Sequence, residues 1–392
     1  MTARMQRFGL DVERVEAARA RAGALAVAPA AAGIAARALA GDVLGDEELG
    51  ALLLAPGVST HALAAIAAAQ RPTGGPHLET FSPLYLTNEC DAECLMCGMR
   101  GGNTALARET ADEGTVEAQL DILHRRGVRG VALLTGEYHH GRRRQTMIRR
   151  AAGALDAALA RGFTHVLINI GALEDGEYET LLAAVPRGPD GRVLPRVTMC
   201  TFQETYHPES YARFMGSTPE NPRSDFTRRL TNFDRAADAG MWAANPGVLL
   251  GLHDDVGFEL LALLAHIRHL RARGLEVYVS LPRLRRASGT PYAAGIDDDM
   301  LCRIVALLSF GRPDAKVVIS TREPPAMQRR LVPMIGVLTP GSPGVAPYTA
   351  TGARFELEAS QFEVLDHRPI EAILGEFIAG GATIDCYEPA AT

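Results

Sequence analysis

The sequence predicts an α/β protein: a (β/α)8 barrel preceded by a helical extension. Three observations predict it. From residue 81 onward, short apolar runs alternate with helix-period stretches, the rhythm of parallel strands joined by helices. Two runs, Val131-Ala132-Leu133-Leu134 and Val317-Val318-Ile319, are nearly continuous in apolar residues, as strands buried on both faces are. Polar and reactive residues gather just past the runs, where the mouth of such a barrel lies. The strand count alone does not exclude an open doubly wound sheet. The expected organisation is a helical extension over 1–75, the barrel over 76–345, and a segment packing on it over 346–392.

Residues 1–75 are rich in Ala, Leu, Arg and Glu and read as several helices. Leu44-Gly45-Asp46-Glu47-Glu48-Leu49 has the acidic first turn of a helix entry. Pro72-Thr73-Gly74-Gly75-Pro76 is a break. Strands are then expected at 84–88, 128–137, 165–171, 197–205, 246–251, 276–284, 316–323 and 335–340. Amphipathic stretches at 115–126, 149–161, 228–239, 258–273 and 300–310 supply the intervening helices. The first strand runs into three cysteines. The later ones end at Thr135-Gly136-Glu137-Tyr138, Asn169-Ile170-Gly171, Phe202-Gln203-Glu204-Thr205, Gly247 to Gly251, Ser280 to Arg283, Thr321-Arg322-Glu323-Pro324 and Leu338-Thr339-Pro340.

Composition narrows the function. The chain has 392 residues, 47% hydrophobic and 22% charged, enough for one large barrel core. A net charge of −6 gives no global basic field for nucleic acid. The cluster Arg142-Arg143-Arg144 with Arg149-Arg150 reads as a solvated helix face. No apolar run approaches a membrane span, and Met1 to Arg7 is not followed by a signal-peptide core, so a cytoplasmic protein is expected. The one lysine, Lys316, starts a strand-like run at the wrong end of a barrel for a pyridoxal phosphate Schiff base. No Gly-Lys-Ser/Thr triplet forms a P-loop.

Half of the six cysteines fall within eight residues, Cys90-Asp91-Ala92-Glu93-Cys94-Leu95-Met96-Cys97. Closely spaced thiolates on one loop suit zinc or an iron–sulfur cluster. A closed structural zinc site wants four ligands, usually as two separated pairs. Three thiolates on a 4Fe–4S cubane leave one iron open, a place for chemistry. A non-enzymatic zinc module is the alternative from another class. The histidines His139, His140, His207 and His253 are assigned no metal, and Cys200, Cys302 and Cys386 stand singly.

This CxxxCxxC spacing resembles the radical S-adenosylmethionine (SAM) superfamily, in which the open iron binds SAM. Further segments resemble its aromatic amino-acid lyase branch. Phe202-Gln203-Glu204-Thr205-Tyr206-His207 and Asp225-Phe226…Arg229-Leu230…Phe233-Asp234-Arg235 are similar to the tyrosine lyases. Asn245-Pro246-Gly247-Val248, Gly251-Leu252-His253-Asp254-Asp255, Thr321-Arg322-Glu323-Pro324 and Pro340-Gly341-Ser342-Pro343 are closer to the tryptophan lyase that makes 3-methyl-2-indolic acid for thiopeptide antibiotics. The match runs from about residue 80 to about residue 375. Gly98 and Thr339 both stand where that branch has serine, and Thr339 keeps a hydroxyl.

The resemblance implies a radical SAM barrel in which Cys90, Cys94 and Cys97 hold a 4Fe–4S cluster. Around SAM it implies Met96 against adenine, Gly136-Glu137 at the amino group, and Gly247 and Gly251 on the adenine-contacting strand. Asn169, Gln203 and Glu204 are strand-end polar groups suited to the ribose and methionine moieties. Arg322 is the candidate for a substrate carboxylate, because a guanidinium matches it bidentately and stays charged. Tyr85 and Thr339 supply flanking hydroxyls, and Arg283 is a weaker candidate. The implied reaction takes a hydrogen from the amino group of an aromatic amino acid, whose backbone carbons then fragment. Tryptophan giving 3-methyl-2-indolic acid is the leading reading; Cα–Cβ cleavage of tyrosine or another amino acid is the alternative. An electron donor such as flavodoxin or ferredoxin is implied as partner, with no nucleic acid or membrane.

Overall fold

The computed structural model describes residues 6–389 apart from Pro72, Leu194, Pro195, Ala294 and the side chain of Arg196. The first five residues of the N-terminal reading, Pro72 of the expected break and the last three residues of the C-terminal segment lie outside the described residues. Four helices come first: α1 (Val12–Leu25), α2 (Ala30–Leu39), α3 (Asp46–Leu54) and α4 (Thr60–Ala69). α3 starts where its acidic turn predicts, with the Glu48 carboxylate accepting from the Gly45 N–H at 2.8 Å. At its other end the buried Arg303 guanidinium donates to the Leu52, Leu53 and Ala55 carbonyls, which a helix end otherwise leaves open.

Ten strands then alternate with helices: β1 (His77–Glu79), β2 (Ser82–Tyr85), α5 (Glu113–Arg125), β3 (Gly130–Leu134), α6 (Arg142–Ala160), β4 (His165–Asn169), α7 (Asp175–Leu181), β5 (Arg196–Cys200), α8 (Pro208–Met215), α9 (Phe226–Leu230), α10 (Asn232–Asp238) and β6 (Ala243–Asn245). α11 (Val256–Ala272), β7 (Glu276–Ser280), α12 (Asp298–Gly311), β8 (Ala315–Ser320), α13 (Pro325–Leu331), β9 (Val337–Thr339), α14 (Ile370–Ala379) and β10 (Thr383–Asp385) follow. All pairings are parallel, in the order β10-β1-β9-β8-β7-β6-β5-β4-β3-β2. β1 and β2 are one stretch broken at Thr80 and Phe81. Its start pairs with β9 and its end with β3, which curls the sheet into a barrel.

Side-chain alternation builds the layers. Val131, Leu133, Val166 and Ile168 face the helices in the main core, while Ala132 and Leu167 point into the barrel with Phe81, Tyr278 and Val318. α5 shows why a helix covers the sheet. Asp112 caps it through the Thr115 N–H at 2.7 Å, and Val116, Gln119, Leu120 and Leu123 form one buried stripe. Burying each leucine contributes about 1.5–3 kcal/mol.

The eight expected strands are β2 to β9, and among the described residues the sheet adds β1 and β10, which are too short to carry a pattern. Three expectations are corrected. The strand expected at 246–251 is β6, three residues earlier; Pro246 has no N–H for a ladder, and 247–250 form only isolated bridges. The helix expected at 228–239 is two, parted at Thr231, whose hydroxyl turns back to the Thr227 carbonyl at 2.8 Å. The arginine cluster on α6 is a solvated face only in part: Arg142, Arg143 and Arg149 are exposed. Arg144 is buried on Glu177, and Arg143 reaches Glu89 and Asp91 on the cysteine loop.

Candidate active site

The last residues of eight strands ring the barrel mouth: Tyr85, Leu134, Asn169, Cys200, Asn245, Ser280, Ser320 and Thr339. Every one lines one of two adjoining cavities of about 910 and 880 Å3. The upper cavity lies against the cysteine loop. The lower sinks between the strand ends. Tyr85, Asn169, Phe202, Arg322, Gln361 and Phe362 border both.

Cys90, Cys94 and Cys97 all line the upper cavity as free thiols. The Cys90 sulfur accepts from the Glu137 N–H at 3.3 Å and the Ala92 N–H at 3.4 Å, and Cys97 accepts from Gln361 Nε2 at 3.5 Å. Such donors suit metal-bound thiolates. Burial pushes the Cys90 thiol up to about 11 and the Cys94 thiol further, so a bound cation is what would make them thiolates at neutral pH. Among the described residues lining the cavity there is no histidine and no fourth cysteine, and the carboxylates of Glu137 and Glu204 are held by arginines. A closed zinc site lacks its fourth ligand here. A 4Fe–4S cluster with one open iron fits.

The SAM candidates divide. Met96, Gly136, Glu137, Asn169 and Glu204 line the upper cavity. A Cβ on Gly136 would lie 2.2 Å from the Glu89 carbonyl and 2.7 Å from Cys90, so only glycine lets the end of β3 pass under the cysteine loop. The Glu137 carboxylate accepts from Arg229 at 2.9 Å and from the Ala172 N–H at 3.2 Å, with Arg223 and Arg228 within 3.7 and 3.8 Å. Glu204 holds φ at 69° and pairs with Arg223 at 2.7 Å, a backbone outlier placed at the cavity wall. Asn169 has no side-chain hydrogen bond among the described residues and stays open to a ligand.

Gln203, Gly247 and Gly251 line neither cavity. Gln203 is buried with its Nε2 unpartnered, while Glu204, at positive φ, lines the upper cavity. At Gly247 a Cβ would lie 2.4 Å from the Phe202 ring, so this glycine seats a ring that borders both cavities. Gly251 has φ +112° and serves a turn.

Arg322 borders both cavities with its guanidinium stacked 3.2 Å from the Phe362 ring centroid. Only its backbone N–H is hydrogen-bonded, to Ser320 Oγ at 3.3 Å, and no carboxylate pairs with it among the described residues. Burial lowers its pKa to about 10, which leaves it charged at neutral pH. The Tyr85 hydroxyl donates to Gln361 Oε1 at 2.6 Å, and Thr339 lines the lower cavity. Arg283 is corrected. Its guanidinium is buried on Glu323 and Asp298 and faces neither cavity, while Arg285 lines the upper one.

Sequence reasoning missed Gln361, Phe362, Arg223 and Arg285 and gave Arg229 no role. Gln361 and Phe362 arrive from far along the chain, where the Gly98 N–H holds the Gln361 carbonyl at 3.1 Å. A Cβ on Gly98 would lie 2.8 Å from that carbonyl, which explains glycine there. The one available signal was Gly98 itself, a glycine directly after the last cysteine.

Comparison with known proteins agrees with this geometry. Residues 280–381 match the Biotin and Thiamin Synthesis associated domain, a span that holds Ser280, Arg322, Thr339 and Gln361. The 2-iminoacetate synthase of Escherichia coli is 28% identical over 339 residues, 84% of this chain and 83% of that protein. The structure of the FeFe-hydrogenase maturase HydG from Carboxydothermus hydrogenoformans superposes with a TM-score of 0.81 at 25% identity, over 96% of this chain and 85% of that one. Methylornithine synthase (PylB) shares the fold, with a TM-score of 0.66 at 16% identity over 91% and 97% of the two chains. With three cysteines lining the mouth of a curled parallel barrel and relatives of this kind, the chain is a radical SAM enzyme, a carbon–carbon lyase that uses a 4Fe–4S cluster and S-adenosylmethionine.

Proposed function

We propose that the chain cleaves the Cα–Cβ bond of an aromatic L-amino acid, with L-tyrosine the substrate best supported. One observation carries the amino-acid reading: Arg322 presents a guanidinium with no carboxylate partner among the described residues where the two cavities meet, beside Tyr85 and near Thr339. A merely surface arginine would not stack on Phe362 at the mouth. The relative from Escherichia coli supports tyrosine-type cleavage, because 2-iminoacetate is the two-carbon imine left when a side chain departs from Cα.

When bound, the reduced cluster and SAM supply a 5′-deoxyadenosyl radical. The chain's own residues do the rest. Arg322 clamps the substrate carboxylate, Tyr85 and Thr339 flank it, and the ring descends into the lower cavity. This clamp fixes which hydrogen faces the upper cavity, a positioning effect. Above it, Arg223 pairs with Glu204 at 2.7 Å while its Nε, 3.7 Å from Glu137, makes no hydrogen bond, which leaves a donor for the methionine carboxylate of SAM. Met96 packs the adenine side and Asn169 offers its amide to the ribose. Gln361 and Phe362 close the wall and exclude water.

A second reading has its own observation. Of the segments resembling the tryptophan lyase, Thr321-Arg322-Glu323, Gly341 and Pro343 line the lower cavity, which keeps tryptophan to 3-methyl-2-indolic acid in view. Anaerobically reconstituted protein, given SAM, reductant and either amino acid, tests both by mass spectrometry. The expected products from tyrosine are p-cresol and 5′-deoxyadenosine. Indolic acid from tryptophan would replace this reading with the second, and deoxyadenosine output unchanged by either amino acid would remove both.

A further inference from the structure

The lower cavity is floored by Phe81, Ala132, Leu167 and Val318, yet its wall carries a linked polar group, Cys200, Asn245 and Ser280, at the ends of β5, β6 and β7. All three are buried. The Asn245 amide is oriented by a carbonyl that can only accept: Nδ2 donates to the Tyr278 carbonyl at 3.1 Å. Oδ1 then faces Cys200, whose buried thiol stays protonated and donates to it at 3.2 Å. Ser280 Oγ lies 3.1 Å from Nδ2 and 3.2 Å from Oδ1. When it accepts from Nδ2, its own O–H is free to donate into the cavity. When it donates to Oδ1, its lone pairs are free to accept there.

This hydroxyl lies deeper than the carboxylate clamp. Ser280 pairs across the ladder with Val318, four residues before Arg322. A carboxylate at Arg322 would therefore direct an aromatic ring toward it. A phenol O–H both donates and accepts, so it matches Ser280 in either state. An indole N–H only donates and matches one. A plain phenyl ring would leave the buried group facing carbon.

We propose that Ser280, held in place by Asn245 and Cys200, reads a hydroxyl on the far edge of the substrate ring and selects 4-hydroxyphenyl over phenyl and indolyl amino acids. This rests on the aromatic-lyase reading above. The test is calorimetric binding of L-tyrosine, L-phenylalanine and L-tryptophan to reconstituted protein with SAM, for the native chain, Ser280→Ala and Ser280→Thr. The native chain is expected to prefer tyrosine to phenylalanine. Ser280→Ala should shrink that ratio by about fivefold to tenfold, and Ser280→Thr, which keeps the hydroxyl, should retain it. If either Ala or Thr fails to fold, the other still decides, because loss of the preference in Thr or its survival in Ala overturns the assignment. A native chain that binds tyrosine and phenylalanine equally, or prefers tryptophan, overturns it while leaving the lyase reading intact. Binding of no aromatic amino acid removes the lyase reading itself.

Discussion

Glu79, where the strands begin, accepts from Tyr278 at 2.9 Å and Lys316 at 2.8 Å and contacts His165, whose Nε2 meets Thr198 at 2.7 Å. Arg322, just past the end of β8, has no acidic partner among the described residues, whereas Arg223 pairs with Glu204 at 2.7 Å and Arg285 with Glu323 at 2.9 Å. Both ends of the barrel bury charge. At the closed end each charge is matched within the chain, so the network is a plug. At the mouth the surplus is cationic and opens on a cavity, so its partners are to come from ligands. Glu79, His165 and Cys386 lie close enough to hold a metal, but the Lys316 ammonium already occupies the carboxylate.

The contrast can be broken in order of expected effect. Cys94→Ala should abolish activity outright and sharply reduce bound iron, measured by iron content and the broad absorbance near ~400 nm. Retained iron and activity would remove the cluster assignment. Arg322→Ala should lower turnover on the order of a hundred- to a thousandfold or misdirect the products, while SAM binding survives in equilibrium dialysis. An unchanged rate and product ratio would refute the carboxylate clamp. Glu79→Gln should do the opposite, destabilising by about 3–5 kcal/mol in chemical denaturation with little change in product pattern per folded molecule.

Two carboxylates sharpen the comparison through pH. Burial pushes Glu79 up, but His165 and Lys316 outweigh it and hold the carboxyl well below the usual range. Its folded value is depressed, so its contribution is present above the unfolded carboxylate range and is lost as pH falls below it. Glu259, behind the mouth, is raised to about 7 by burial although Thr205 and the Tyr206 N–H donate to it. Its folded state keeps a proton that the unfolded chain releases near pH ~4.3, so stability falls as pH rises from there to about 7. Glu259→Gln should flatten that slope, worth on the order of 3 kcal/mol, in urea melts across the window. An unaltered slope would show that Glu259 is ionised in the folded protein.

The barrel was legible in the sequence alone, and so were the cysteine trio and Arg322 as candidates for the cluster and the carboxylate. Each is written in local pattern: alternation of apolar runs with helices, three cysteines in eight residues, an arginine directly after a strand. Tertiary structure alone decided the rest. Arg283 and Arg285 both follow β7 and both pair with Glu323, yet Arg283 is held on Asp298 as well and faces neither cavity, while Arg285 lines the upper one. Gln203 lines neither cavity, while its neighbour Glu204 lines the upper one. Gln361 and Phe362 meet Cys97 and Arg322 across a long stretch of chain. The physical reason is that a strand fixes where a residue stands along the barrel, whereas the partner that claims its charge or ring is chosen by packing between elements remote in sequence.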